Sequence, residues 1–367
     1  MAQDFIVSLL FMGFAIGVMV GFATLFTWVE RKQSAITSDR IGANRCYVRI
    51  PFTNIKFIAW GLFHGVADGG KLLLKENFTP RTYDRFCYNL APWLAGVPVL
   101  LVFAVIPFGG ALIVGERSYV MQIAPLDAGV LFVLAISGIG VLSTMLAGWS
   151  SNNKFSLMGA ARAASQMISY EVAMGLALIS MVVTYGTLDL NAMVQWQSQL
   201  LGGLVPAWGI FIQPVAFILF LTASIAENKR IPFDLPECES ELVAGYFTEY
   251  TAMKMGMFML SEFIEIVVIS ALLVTVFLGG YNLPYFNDSG FAFPGGVNWA
   301  LPPWAVVVLQ VGTFSIKTFL VGCFQIQVRW TLPRFRYDQL MSFGWKFLLP
   351  LAAINLVVSV CIRLLTL

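Results

Sequence analysis

The sequence predicts an all-α polytopic membrane protein, and three observations carry that prediction. The chain is 58% hydrophobic and only 11% charged, with a mean hydropathy of +0.79. Eight apolar runs of membrane length divide it, near 5–29, 92–114, 128–149, 166–186, 206–226, 252–279, 302–327 and 344–366. Runs of about 18 or more apolar residues read as transmembrane helices, and lipid otherwise admits only closed barrels, whose strands are shorter. The loops after the first, third, fifth and seventh runs hold most of the Lys and Arg, whereas the opposite side keeps only Arg117 and Arg363. The positive-inside rule then puts both termini outside, which an even helix count matches. The whole chain reads as a single integral membrane domain.

The first run is preceded by Asp4 rather than by basic residues and is too long for a cleavable leader, so it is expected to remain as a helix. Residues 55–75 mix Phe57, Trp60, Phe63 and Leu72 with Lys56, Asp68 and Lys71, as an amphipathic helix lying in the interface does. Such a helix is either a membrane-resting connector or a doorway for an amphipathic small molecule. A polar stretch at 149–171 leads into the fourth run, with Ser156 as candidate N-cap and Gly159, Ala160, Ala161, Ala163 and Ala164 permitting close helix contact. Glu171 then falls at lipid depth, where it is either a carboxylate bonded to a nearby Ser or Tyr or a proton relay.

The most charged segment is 227–250, with Glu227, Asp234, Glu237, Glu239, Glu241 and Glu249 between two membrane-length runs. Packed carboxylates raise one another's pKa, which prepares them to carry protons. In the sixth run Glu262 and Glu265 are three apart and share a helix face. Two like charges in lipid do not both ionise cheaply, so Lys317 in the seventh run is the candidate partner. Glu265 adjoins the apolar Ile266-Val-Val-Ile269, and a partner subunit is its other possible neighbour. The basic loop 329–346 suits anchoring at the membrane face or ion pairing with the acidic segment.

Other chemistry finds no support. The five cysteines are scattered and His64 is the only histidine, so no metal, haem or iron–sulfur spacing exists. There is no Gly-rich phosphate loop and no Ser/His/Asp set. Any electron chemistry must come from partners.

Taken in order, these segments resemble the H subunit of proton-pumping NADH:quinone oxidoreductases, the respiratory complex I family. The matching stretches are Glu30-Arg31-Lys32, Ala67-Asp68-Gly69, Lys71 to Glu76, Leu90-Ala91-Pro92, Gly148 to Leu157, Ile168-Ser-Tyr-Glu171, Pro232 to Glu237, Glu239 to Gly245, Thr248-Glu249-Tyr250 and Leu332 to Met341. The resemblance implies eight transmembrane helices joining a hydrophilic electron-transfer arm to a proton-pumping membrane arm. It implies that Arg31, Arg40, Asp68 and Phe233 border the quinone chamber and arm junction, with Arg334, Arg336 and Asp338 on the loop facing the hydrophilic arm. It also implies an acidic proton relay of Glu171, Glu227, Asp234, Glu237, Glu239, Glu241, Glu249 and Glu262, to which the depth of Lys317 adds that residue. No residue is assigned a catalytic or metal-binding role.

Quinone is then the substrate, and iron–sulfur clusters and FMN belong to partner subunits. The implied partners are the hydrophilic quinone-site and iron–sulfur subunits, small membrane subunits, antiporter-like subunits and phospholipid, with no nucleic acid. The implied location is the bacterial inner (plasma) membrane, or an organelle's inner membrane. Two departures stand out: Ser38 and Ala43 replace the family's usual Gln and Pro, and extra residues such as 49–54 separate Asn44 from Asp68. An equivalent subunit of a membrane-bound hydrogenase or other-reductant complex is the alternative, and the stretch from Phe233 to Tyr250 favours the quinone enzymes. A stand-alone ion transporter is a further reading, against which stands the lack of a clear internal repeat, and a purely structural anchor is a third, which has no need for so many carboxylates near lipid.

Overall fold

The computed structural model describes residues 2–49, 56–114, 117–201, 205–235, 242–287, 290–292 and 298–366. Helix α1 (Ala2–Thr37) has 36 residues. At 1.5 Å per residue it is about 54 Å long, so its last turns extend well past a hydrocarbon core of about 30 Å. The surface helix α2 (Phe63–Leu74) has no buried residue, as expected of an interfacial helix, and is shorter than the predicted 55–75. A tight turn over Ala59–Gly61 precedes it. Gly61 there has φ +92°, and a Cβ would sit 1.9 Å from the Ala43 carbonyl oxygen, so only glycine fits.

Helix α3 (Arg85–Ala104) starts at Asp84, whose carboxylate accepts from the Cys87 amide at 2.9 Å. Helices α4 (Gly129–Ser150) and α5 (Lys154–Tyr185) follow. The N-cap of α5 is Asn153, whose side chain accepts from the Phe155 amide at 3.0 Å. Ser156 is therefore not the cap. It lies inside the helix, buried, and donates to the Tyr246 carbonyl at 2.9 Å. Asparagine caps as well as serine does, and it stands nearer the turn.

A short helix α6 (Leu190–Gln197) leads to α7 (Gly209–Ile212) and α8 (Pro214–Glu227). These two cover the predicted run 206–226 in two pieces. The break falls at Gln213 (φ −133°, ψ 70°), which Pro214 excludes from the helical region. Helix α9 (Ala252–Phe277), α10 (Pro303–Thr331), α11 (Tyr337–Phe343) and α12 (Leu349–Thr366) complete the chain, the last two joined by a π-helical turn. Short antiparallel strand pairs, including a hairpin at Ala111–Val114 and Arg117–Val120, fill connections between helices.

Among the described residues seven helices are long and apolar enough to cross a membrane, which makes the protein an all-α polytopic membrane protein. Helix α9 is the hub: it packs on α1, α3 and α10, while α5 packs on α4, α8 and α12. Small residues set the spacing, as predicted for 159–164. A Cβ on Gly159 would come within 2.8 Å of the Gly245 Cα, and one on Gly148 within 2.3 Å of the Ala160 Cβ. That approach brings the segment before α9, with Tyr246, against α5.

Candidate functional site

Three stretches of chain converge on Glu30, near the end of α1. Its carboxylate accepts from Arg230, which follows α8, at 3.1 Å, and from Arg329, in the last turn of α10. Arg230 also reaches Glu262 of α9 at 3.7 Å and lies 4.6 Å above the Phe263 ring. These side chains are only 12–25% exposed. Guanidinium is the suited cation because its planar fork serves two carboxylates at once and loses little hydration. Removing one member of so buried a set leaves charge without compensation.

From Glu262 the contacts continue inward. Its carboxylate accepts the Tyr246 hydroxyl proton at 3.1 Å, and the Lys229 ammonium donates to the same hydroxyl at 3.4 Å. Tyr246 and Lys229 line a cavity of about 70 Å³ in the heart of the bundle, together with Glu227, Glu265 and Ser137. Ser137 of α4 donates in turn to Glu171 of α5 at 3.1 Å. The Glu171 carboxylate is thus bonded to a serine, and that serine opens onto the polar cavity.

On the other side of Glu30 lies a second, open cavity of about 810 Å³. Glu30, Arg31, Ser34, Arg40, Arg45 and His64 supply its polar walls. Arg31 pairs with Asp68 of the surface helix α2, both half exposed, and Arg40 donates to the Ser34 hydroxyl at 3.2 Å. Of the residues predicted at the quinone chamber and arm junction, Arg31 and Arg40 share this cavity wall and Asp68 pairs with Arg31, whereas Phe233, Arg334, Arg336 and Asp338 do not line it.

A third cluster ties two loops. Arg334 pairs with Asp234 at 3.0 Å, the kind of contact expected between the basic and acidic segments. Phe233 stacks on Phe335 with ring centroids 5.6 Å apart, and the Gln166 amide holds the Ala226 and Phe233 carbonyls at 2.8 and 2.7 Å. Burial pushes the Asp234 carboxyl up to about 6, against the downward pull of Arg334 and then Arg329. Asp234 is therefore poised to exchange a proton close to neutrality.

The remaining predicted residues scatter. Glu249 accepts from Asn153 at 2.7 Å, beside Tyr88 stacked on Tyr250. Arg336 and Asp338 pair at 3.3 Å but are 80% and 69% exposed, so the pair contributes little. Glu237, Glu239 and Glu241 lie outside the described residues.

Lys317 is not the partner of Glu262 or Glu265. Its ammonium donates to the carbonyls of Leu278, Gly280 and Asn282 at 2.8, 3.1 and 2.7 Å and lies over the Trp208 ring. Those carbonyls follow the end of α9, about 24 Å along the helix from Glu262, where a cation satisfies orphan acceptors. Hydropathy sets a residue's depth but not which end of a neighbouring helix it meets.

Sequence reasoning passed over Glu30, Arg230, Arg329, Tyr246 and Ser137 as site residues. Glu30 and Arg230 each stood inside a charged motif, which was a usable signal. Tyr246 and Ser137 carried none, because only packing brings them to a cavity.

A multi-pass helical membrane protein with a chain of paired carboxylates and guanidinium groups through its interior is the class that this fold and site define. The profile of the family described as NADH dehydrogenase matches residues 9–360, and the chain belongs to that family. Its relatives include a Cytophaga hutchinsonii protein named as an H subunit of NADH-quinone oxidoreductase, 43% identical over 92% of this chain and 91% of its own length. A Thermomicrobium roseum protein of the same name is 40% identical over 99% of this chain and 97% of its own length.

Proposed function

We propose that this chain is the membrane subunit of an NADH:quinone oxidoreductase that forms the quinone-access chamber and starts the carboxylate path coupling quinone reduction to proton movement. The observation that carries this reading is the continuous series of contacts from the open cavity, through Glu30, Arg230, Glu262 and Tyr246, to the inner cavity and Glu171. In this reading quinone enters from lipid beside α1, α2 and α9. Arg31, Arg40 and Arg45 attract the negative charge that reduction places on its ring.

New negative charge near Glu30 competes for Arg230 and Arg329. Arg230 drawn toward it releases Glu262, which takes up a proton delivered through Tyr246. Partner subunits hold the iron–sulfur clusters and FMN that supply electrons, and further membrane subunits receive the signal. The protein sits in an inner (plasma) membrane with both termini outside and the basic loops inside.

The test is Arg230→Met in the assembled complex. NADH oxidation by a soluble acceptor is expected to persist while quinone reduction and proton uptake fall by about a hundredfold, the lower end of the range for a positioned proton-transfer group. Normal proton uptake at normal complex levels would refute the coupling path. Recovery of the chain with hydrogenase partners instead of a flavoprotein subunit would refute the NADH assignment.

A further inference from the structure

Glu265 stands apart from the junction around Glu30. It lies one turn beyond Glu262, toward the middle of α9, and among the described residues it has no hydrogen bond or ion pair. It lines the inner cavity, as does Glu227 of α8. Glu227 is 4% exposed, and its Oε2 has no hydrogen-bond partner among the described residues. Two carboxylates on different helices thus line one cavity, and one of them carries an acceptor with no hydrogen-bond partner among the described residues.

The space suits water. Its volume is about 70 Å³, and roughly 10–15 Å³ on this measure holds one molecule. A buried water needs two to four polar partners, and Ser137, Lys229 and Tyr246 are added to the two carboxylates. The wall given by α3 is apolar, with Ala95, Pro98, Val99 and Val102, so a proton crossing the space has polar stations only on the other elements. An ionisable side chain at this depth is expensive, and a packing role needs none.

We infer that Glu265 is a proton-carrying residue that bridges the Glu262–Tyr246 end of the path to Glu227 and, through Ser137, to Glu171. The inference rests on the coupling path proposed above. A water bound at Glu227 Oε2 passes a proton to the Glu265 carboxylate, which becomes neutral. Glu265 then passes that proton to a cavity water beside Tyr246, which restores the hydroxyl proton that Tyr246 gives to Glu262. Each hop breaks one O–H bond and forms another, and no electron moves. The charged groups around Glu265 are Glu227 and Lys229 at the end of α8, Arg230 beyond them, Glu262 on its own helix, and Glu171 behind Ser137.

The experiment compares Glu265→Gln, Glu265→Asp and Glu227→Gln in the assembled complex, reading proton uptake and the redox-induced infrared difference spectrum. Glu265→Gln is expected to lower proton uptake by about fivefold or more and to abolish one protonated-carboxyl band, with Glu265→Asp restoring both in part. A fall below about twofold with the band intact, while Glu227→Gln fails, overturns the role of Glu265 alone. If neither variant lowers uptake, the coupling path itself is refuted and this inference goes with it. Should Glu265→Gln not assemble, Glu265→Asp decides: a shifted carboxyl band supports the role and an unshifted one overturns it.

Discussion

Replacing Arg334 with methionine removes the nearest cation from Asp234 and keeps a side chain of similar length. Arg334 Nη2 stands 3.0 Å from Asp234 Oδ2. Unit charges about 4 Å apart at an effective dielectric of about 20 attract by about 4 kcal/mol. Arg334 is 35% exposed, and solvent screening brings that down to about 1–2 kcal/mol. At about 1.4 kcal/mol per pH unit, Arg334→Met should move the Asp234 midpoint up by about one pH unit.

In the native protein that midpoint is about 6, raised from 3.8 chiefly by burial. A carboxyl raised on folding holds its proton more tightly in the folded state. Its stabilising contribution is complete below about pH 4 and is lost as pH rises through about 6, a difference of about 3 kcal/mol. In the variant that loss should extend to about pH 7. Infrared titration of the complex with isotope-labelled aspartate, with Asp234→Asn as blank, reads the midpoint directly. A midpoint that stays put or falls in Arg334→Met would refute the pairing as the controlling contact.

Two further substitutions probe the frame. Gly159→Ala puts a methyl 2.8 Å from the Gly245 Cα and 3.0 Å from the Tyr246 amide nitrogen, where the obstacle is backbone. A destabilisation of about 1–3 kcal/mol is expected, with a lower melting temperature and slower quinone reduction. Unchanged melting would show that the segment before α9 has slack. Lys317→Met removes three charge-assisted bonds to carbonyls and should lower thermal stability by about 2 kcal/mol or more, with proton uptake per quinone preserved. Lost uptake at unchanged melting would return Lys317 to the proton path.

The helices were legible because hydropathy registers depth along the chain, and the predicted runs are largely helical in the fold except 92–114, where the helix ends at Ala104 and Ala111–Val114 is a strand. Their ends were less so. Helix α5 begins twelve residues before the predicted run at 166, because the small and polar residues from Lys154 onward pack on α4 and the Tyr246 segment rather than facing lipid. The break at Gln213 was signalled by Pro214, a residue inside an otherwise continuous run. Pairings were the least legible part. Glu30 and Arg230 are 200 positions apart, and Ser137 and Glu171 are 34 apart, so only tertiary packing brings them together. Charge composition could nominate the acidic and basic loops for one another, which the Asp234–Arg334 contact realises, but it could not choose among the arginines.

Glu30 has one more property that follows from counting its oxygens. Oε2 serves Arg230 and Oε1 serves Arg329, so a single group anchors two segments that both come from the second half of the chain. Had each arginine its own carboxylate, the two segments could move independently. With a shared anchor, loss of that one carboxylate loosens both contacts at once, and the segments after α8 and α10 respond together.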